Sequence, residues 1–436
     1  MPLRNLLYLL QLEEYDLKRF SDWLKNNPGR VVLEKKKHID WTTKARILFA
    51  LANIFNVITL GNRPLAIKIS SRFLLPIDIL AKNFLVFLAK RKINKMTGLT
   101  VIGITGSYGK TTTKDAVSHV LIHKYKTLKT EGNYNTLLGI AKTILHNLHK
   151  THEIFVCEMA AYQIGDIKAI AELIKPKIGI VTAIGPMHLE RFGSQENIFK
   201  TKLELIESLP PDGIGFLPKE LESQFVEYFH NFLPTGDLSK GDNNGSKKIT
   251  SKIEFFSSKV ELLIKIGKIF DMTEEEIFGY IKTAPQTPHR QQVIRTSAGI
   301  TIIDDTYNSN PAGFLSALEM LKSTPAQRKI LVTPGMIELG EKQFELNKNA
   351  AISAAQIADY VIIVGETNKK ALREGLKDGF NLVSRTSGLE ESYADKEYDK
   401  RIFEVIDLDA AKSKLSELAT ANSVILLEND LPDHYF

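Results

Sequence analysis

At 436 residues, with 43% apolar and 25% charged side chains, the chain has an ordinary globular composition that excludes a disordered or low-complexity protein. Its length calls for several domains, and its single cysteine, Cys157, excludes an internal disulfide framework and fits a reducing cytosol. The net charge of +6 is unevenly placed: residues 1–96 hold 18 Lys and Arg against 7 Asp and Glu, and the remainder is acidic. That asymmetry gives the first quarter an anionic neighbour, with a membrane favoured over nucleic acid because no aromatic or glycine-rich binding pattern accompanies the charge.

The first quarter reads as helical. In "LLQLEEYDLKRFSDWLK", Leu10, Leu17, Phe20 and Leu24 recur at helical spacing. "NLLYLL" runs into Glu13 and Glu14 without a small-residue cleavage site, so no secretory signal is expected. Two apolar stretches follow, 47–60 and 73–89. The first is shorter than the ~20 residues of a span, and the second contains Asp78 and Lys82. With Lys44, Arg46, Arg63, Lys68, Arg72 and "KRKINK" around them, the stretches suit helices lying in an anionic membrane interface. A small helical domain and a spanning helix are the alternatives.

From residue 99 the pattern changes to strands alternating with helices: "LTVIGIT", "EIFVCEM" and "KIGIVTAI", then a second series near 288 with "GITIIDDTYN", "RKILVTPGM", "YVIIVGE" and "SVILLEND". A turn-rich loop is expected over 235–248. The expected fold is α/β: a central parallel-sheet ATPase domain with a phosphate loop over 97–287, and a Rossmann-like α/β domain over 288–436. A basic helical segment over 1–96 precedes them.

The stretch "VIGITGSYGKTTTKDAV" carries the chemistry. Gly106, Ser107 and Gly109 let backbone N–H groups close on phosphate oxygens, Lys110 reaches the outer phosphates, and Thr111 or Thr112 opens the next helix with a hydroxyl for Mg²⁺. Ile104 replaces the first glycine of the longer phosphate-loop pattern, but GxxGKT between strand and helix remains a strong nucleotide signal. Glu158 ends "EIFVCEM", His188 follows "IVTAI", and Lys202 lies in "FKTKLELI". Singly these read as a helix cap or surface charge, a loop histidine and a solvated helix face.

In order, the phosphate turn, "EGNYNTLLGIA", "EMAAYQIGDI", "IGPMHLERFGSQENIFKTKLEL" and "DDTYNSNPAGFLSAL" resemble the Mur ligases, ATP-dependent amide-forming enzymes of peptidoglycan precursor synthesis. The blocks look most like the branch that joins D-alanyl-D-alanine to a muramoyl tripeptide. The resemblance implies ATP and two Mg²⁺ ions as cofactors, with Lys110 on the β/γ phosphates and Thr111, Glu158, His188 and Lys202 around metal. It implies that Lys202 is carbamylated, which converts a cation into a metal-supporting anion. It places Arg290, Asp305 and Asn308 toward the nucleotide, with Tyr307 and Asn310 in the same turn, and Asn133 and Asn135 toward the substrate. The implied partners are the precursor peptide and D-alanyl-D-alanine, in the cytoplasm or at the inner membrane face. A folate- or polymer-type ligase, a lipid-linked acceptor and a non-catalytic nucleotide-binding scaffold are the competing readings.

Four departures accompany the resemblance. Residues 1–96 lack the usual uridine-binding first domain. "EFFSSKVELL" stands where a His-Asn pair would help hold adenine, and "TPGMIELG" where Gly-Asp-Met precedes Glu-Leu-Gly. The terminal "VILLENDLPDHYF" lacks a Lys-Gly-Ser-Arg block, and its Glu428 and Asp430 read as surface acids.

Overall fold

The computed structural model describes all residues except 14, 28–40, 133, 188, 233–250, 308, 387–399 and 429–436. It divides into two compact units, one comprising Met1–Phe84 with Gly365–Thr367, the other Leu85–Val364 with Asn368–Asn429.

The first unit is helical. Helices α1 (Leu3–Leu12), α2 (Leu17–Asn26), α3 (Thr43–Ile58) and the start of α4 (Arg63–Ile93) enclose a core of Leu6, Leu7, Leu9, Leu10, Phe20, Leu48 and Ile67. The continuous periodicity through residues 10–24 is divided in two, because Tyr15 turns at φ 65° and Asp16 caps α2. The Asp16 carboxylate accepts from the N–H groups of Lys18 and Arg19 at 2.7 and 3.0 Å. Helix α4 runs 31 residues, about 46 Å, through Pro76, which can give no N–H to the preceding turn. Asp78 lies 2.9 Å from both Lys44 and Lys82. Burial pushes its carboxyl up, but the two ammoniums outweigh it and hold the group below its ordinary range. No helix among the described residues is long and apolar enough to cross a membrane.

The second unit contains two sheets. The first follows the chain as β1 (Thr100–Thr105), α5 (Lys110–Leu121), β2 (Thr127–Lys129), α6 (Leu137–Asn147), β3 (Ile154–Glu158), α7 (Asp166–Ile174) and β4 (Ile178–Val181). It continues through α8 (Leu189–Phe192), α9 (Gln195–Glu207), β5 (Ile214–Pro218), α10 (Glu222–Phe232), β6 (Lys252–Phe256), α11 (Lys259–Ile269) and α12 (Glu274–Thr283). The strands are parallel in the order β2-β3-β1-β4-β5-β6. Helices cover both faces, so a central strand such as β3 is buried throughout and reads as an unbroken apolar run. The register pairs Ile104 with Glu158 and Thr105 with Val181. The loops after β1, β3 and β4 therefore leave the sheet side by side at its carboxyl end, where open parallel sheets hold ligands.

The second sheet contains β7 (Gln292–Arg295), β8 (Thr301–Asp305), β9 (Arg328–Thr333), β10 (Tyr360–Val364), β11 (Ile402–Val405) and β12 (Ser423–Glu428) in the order β11-β10-β9-β12-β8-β7. Its helices are α13 (Pro311–Ser323), α14 (Gln343–Ala355), α15 (Lys369–Thr386) and α16 (Leu408–Leu418). All pairings are parallel except that of edge strand β7 with β8, which the alternating sequence pattern did not foretell. Gly375 lets α15 approach α14 closely: a Cβ there would stand 2.2 Å from the Lys348 carbonyl oxygen. The loop expected over 235–248 lies outside the described residues.

Candidate active site

The phosphate turn is built by its glycines. Gly106 takes φ 146°, and a Cβ there would lie 2.2 Å from Thr182 Oγ1, so only glycine fits against the loop after β4. Gly109, at φ 75°, reverses the chain into α5. Ser107 fastens the turn: its N–H donates to Ala183 O at 2.7 Å, its hydroxyl donates to Gly185 O at 3.0 Å, and it accepts from Gly185 N–H at 3.2 Å. Tyr108 OH donates to Pro186 O at 3.1 Å, and its burial pushes the phenol up.

Lys110, the first residue of α5, folds back and donates to the carbonyls of Gly106 and Ser107 at 2.8 and 3.2 Å. Burial lowers its ammonium to about 8 against the attraction of Glu158, and Arg290 lowers it further. Thr111 Oγ1 lies 3.3 Å from Glu158 Oε1, and Asn135 Nδ2 donates to that same oxygen at 3.0 Å. Thr112 turns the other way, where Lys259 Nζ donates to its hydroxyl at 3.0 Å. The predicted Thr111, Glu158 and Asn135 thus meet, while Thr112 faces a different cleft.

Glu158 is buried at the end of β3, and its other oxygen, Oε2, faces Lys114 Nζ at 3.1 Å. That approach is an ion pair without hydrogen-bond geometry, so Oε2 retains acceptor capacity. Lys114, itself buried, was not singled out in the sequence; its place one turn beyond Lys110 on α5 was the available signal.

Lys202 is also buried, on α9, which replaces the solvated helix face of the simpler sequence reading. Burial and then the positive charge of Lys110 lower its ammonium to about 7, partly opposed by Asp166 and Glu204. Glu204 ties α9 to the start of α7 by accepting from the N–H groups of Gly165 and Lys168 at 2.6 and 2.9 Å. Cys157, between the β-strand's core contacts, is buried and its thiol pushed well up, which leaves it inert.

Arg290 stands between two residues of positive φ, His289 and Gln291, and stacks on Tyr307 with its guanidinium carbon 4.2 Å from the ring centre. Burial lowers its pKa, against the attraction of Tyr307, Asp305 and Glu158. Asp305 ends β8 and accepts from Gln291 N–H at 3.3 Å. Burial raises its carboxyl, and Gln291 and Arg290 oppose the rise. Asn310 caps α13 by accepting from Gly313 N–H at 2.8 Å, which assigns it a helix-start role. Glu428 is not a surface acid: it is buried at the end of β12 opposite Asp305, with Ser309 donating to Oε1 and Oε2 unpartnered. Asn133, His188, Asn308 and Asp430 lie outside the described residues.

A cleft of about 340 Å³ adjoins the phosphate turn, lined by Thr112, His119, Lys259, Gln286, Thr287 and Arg290 among others. Thr287 Oγ1 donates to Asp115 at 3.1 Å across it, linking α5 to the segment that leads into the second sheet. No trio of His, Cys, Asp or Glu suited to a metal occurs among the described residues. The Thr111 hydroxyl and Glu158 Oε1, 3.3 Å apart, still fit Mg²⁺, which takes one or two carboxylate ligands and completes its shell with phosphate and water.

The Mur ligase middle domain matches residues 104–281, and the domain described as Mur ligase, glutamate ligase domain matches residues 289–428. A UDP-N-acetylmuramoyl-tripeptide–D-alanyl-D-alanine ligase of Bacillus subtilis (strain 168) is 32% identical over 302 residues, 64% of this chain and 65% of that protein. The namesake of Mycobacterium tuberculosis (strain CDC 1551 / Oshkosh) is 28% identical over 76% of this chain and 70% of its own length. The chain therefore spans about two thirds of the curated relatives it matches. MurF from Acinetobacter baumannii superposes with a TM-score of 0.64 at 20% identity, covering 79% of this chain and 76% of that one. The MurF ligase of Thermotoga maritima in complex with ADP gives 0.63 at 23% identity, covering 81% of each. With two domain matches spanning both sheets and the phosphate turn, Glu158 and Asn135 assembled at one sheet end, the chain belongs to the Mur ligase family.

Proposed function

We propose that this chain is an ATP-dependent amide ligase that joins D-alanyl-D-alanine to a muramoyl tripeptide. The observation that carries the reading is the meeting of Thr111, Glu158 and Asn135 at the end of β3, beside the glycine turn on which Lys110 folds back, with Lys202 buried on α9. Relatives bearing that activity in their names, matched over 64% and 76% of this chain, support the acceptor assignment.

A carboxylate oxygen of the tripeptide attacks the γ-phosphorus of ATP, the bond to the β-phosphate oxygen breaks, and ADP leaves. The amine of the dipeptide then attacks the acyl phosphate carbon; inorganic phosphate departs and the nitrogen loses a proton. The phosphate turn's N–H groups and the start of α5 hold the polyphosphate. Lys110 exchanges its loop carbonyls for phosphate oxygens, which spreads charge away from the transferring group. Mg²⁺, when bound by Thr111 and Glu158, supplies further charge neutralisation on those oxygens. Asn135 fixes Glu158 Oε1, and His188 and a second ion belong to the same proposal by resemblance.

Lys202 reacts with CO₂ only as a neutral amine, and a value of about 7 makes that form abundant near neutral pH. This supports carbamylation as the source of the anion needed beside a metal. The cleft at Lys259 and Arg290 is the candidate nucleoside site in place of the family's His-Asn pair, and the assignment of Asp305 and Asn308 to the nucleotide and of Asn133 to the peptide rests on resemblance alone. The positive first quarter supports a position at an anionic inner membrane face, and 1–96, 97–287 and 288–436 serve as the functional divisions.

The test is phosphate release by the full chain with ATP, Mg²⁺, bicarbonate, uridine-linked muramoyl tripeptide and D-alanyl-D-alanine. Release that requires both substrates, gives the pentapeptide and disappears in Lys110→Ala supports the proposal. Intact ATP binding with no pentapeptide overturns the acceptor and favours a folate- or polymer-type substrate.

A further inference from the structure

The hairpin of α3 and α4 leaves uncovered an apolar surface that its own core does not use. On α3, Ile47, Ile54 and Ile58 are exposed with half-buried Leu51 between them, a spacing of four, three and four that defines one helix face. On α4, Phe73, Ile77, Leu80 and Phe84 repeat that spacing and all are exposed. The opposite faces hold Leu48, Ala52 and Ile67 in the first unit's core, so the outer stripes are surplus to folding.

The connecting turn is the extreme case. Val57 is 76%, Ile58 67% and Leu60 96% exposed. Leu60 moreover sits at φ 51°, where glycine or asparagine is the unstrained choice, yet the position holds an almost fully exposed leucine. Exposed apolar side chains in this number on one hairpin mark an interaction site.

Charge identifies the occupant. Residues 43–84 contain six Lys or Arg and a single acid, Asp78, which is held between Lys44 and Lys82. Arg46, Arg63 and Arg72 remain exposed beside the apolar stripes. A protein partner matched to isoleucine and phenylalanine stripes explains the buried hydrophobicity but not a uniformly positive border, whereas an anionic bilayer presents apolar chains beneath negative headgroups. The helices are not long and apolar enough to span, which leaves the interface itself.

We propose that the α3–α4 hairpin docks on an anionic bilayer, with its stripes and the Val57–Ile58–Leu60 tip in the acyl boundary and Arg46, Arg63 and Arg72 at the headgroup phosphates. This rests on the reading that the first quarter faces a membrane, and deepens it by naming insertion at defined residues; it is independent of the ligase chemistry.

The experiment is flotation of the full chain with vesicles of phosphatidylcholine containing about 30% phosphatidylglycerol, or none. The wild-type chain is compared with Val57→Ser/Ile58→Ser/Leu60→Ser, and Leu60→Trp reports on depth. The expected result is binding that requires the anionic lipid, about a tenfold or greater loss of partitioning in the triple variant, and a blue-shifted Trp signal quenched by spin-labelled acyl chains. Unchanged thermal melting of the triple variant, expected for exposed positions, separates this loss from misfolding. Undiminished binding of the triple variant overturns insertion while leaving a charge-only membrane contact; absence of wild-type binding overturns both. Lipid-free self-association abolished by the triple variant would assign the surface to a second copy and overturn the proposal.

Discussion

Lys114 Nζ lies 3.1 Å from Glu158 Oε2, and both side chains are almost wholly shut off from solvent. The pair joins the first helix of the phosphate turn to the end of β3, so the carboxylate proposed for metal is held at Oε2, while Thr111 and Asn135 meet its Oε1. Lys114→Met strips that carboxylate of its buried counter-charge, and the cost expected is about 3–5 kcal/mol of folding stability. Urea denaturation checks it. The double variant Lys114→Met/Glu158→Gln should recover much of the loss, because it buries no unpaired charge.

Lys202 gives a pH signature. Its folded value of about 7 lies below the ordinary lysine value of 10.5. Between these the unfolded chain binds a proton that the folded chain does not, so stability rises as pH increases from about 7 toward 10.5. Denaturation midpoints in CO₂-free buffer should climb over that window, and Lys202→Met should flatten the climb. With ¹³C-bicarbonate, the wild-type chain should gain a carbamate resonance that the variant lacks.

Gly106→Ala tests the phosphate turn. Its new Cβ would meet Thr182 Oγ1 at 2.2 Å and occupy a backbone region unsuited to alanine. The expected cost is about 1–3 kcal/mol, with ATP affinity reduced more than tenfold as the N–H groups are displaced. Gly193→Ala is the control, since it also has positive φ, at 74°, but no neighbour within 4 Å. Calorimetric titration with ATP should separate the two variants.

Glu428 tests the second sheet. Burial and then Asp305 hold its carboxyl well above the ordinary value, although Ser309 donates to it. The folded chain therefore keeps a proton that the unfolded chain loses, and this contribution fades as pH rises above about 4.5. Glu428→Gln, neutral at every pH, is expected to melt at a higher temperature than wild type at pH 8 and to differ little at pH 4.5. An equal melting difference at both would show that the side chain acts through packing alone.

Much of the second unit was legible because its strands are apolar on both faces and its turns carry glycine. "EIFVCEM" and "GITIIDD" announced β3 and β8, and GxxGKT between strand and helix announced the nucleotide turn. The first quarter was legible as helical, but not its division at Tyr15, because hydrophobic spacing continues across that turn. The antiparallel edge strand β7 was hidden for a related reason: "QVIR" is short and half-exposed, without the apolar run of its neighbours. Lys114 and Lys259 escaped notice since lysines on helices are ordinarily solvated; only the packing of β3 and the cleft beside α5 makes them neighbours of the site.

The sequence by itself determined the class of chemistry, because phosphate binding needs a glycine turn, a lysine and a hydroxyl at fixed local spacing. It also determined the charge asymmetry and the apolar stripes of the first quarter, which follow from residue type and helical period. Only the tertiary structure decided which charges are buried. The parallel register sets Glu158 beside the phosphate turn and Glu428 beside Asp305, while packing around α9 encloses Lys202. Those consequences come from contacts between residues far apart in the chain, where desolvation, which no local pattern records, sets protonation and reactivity.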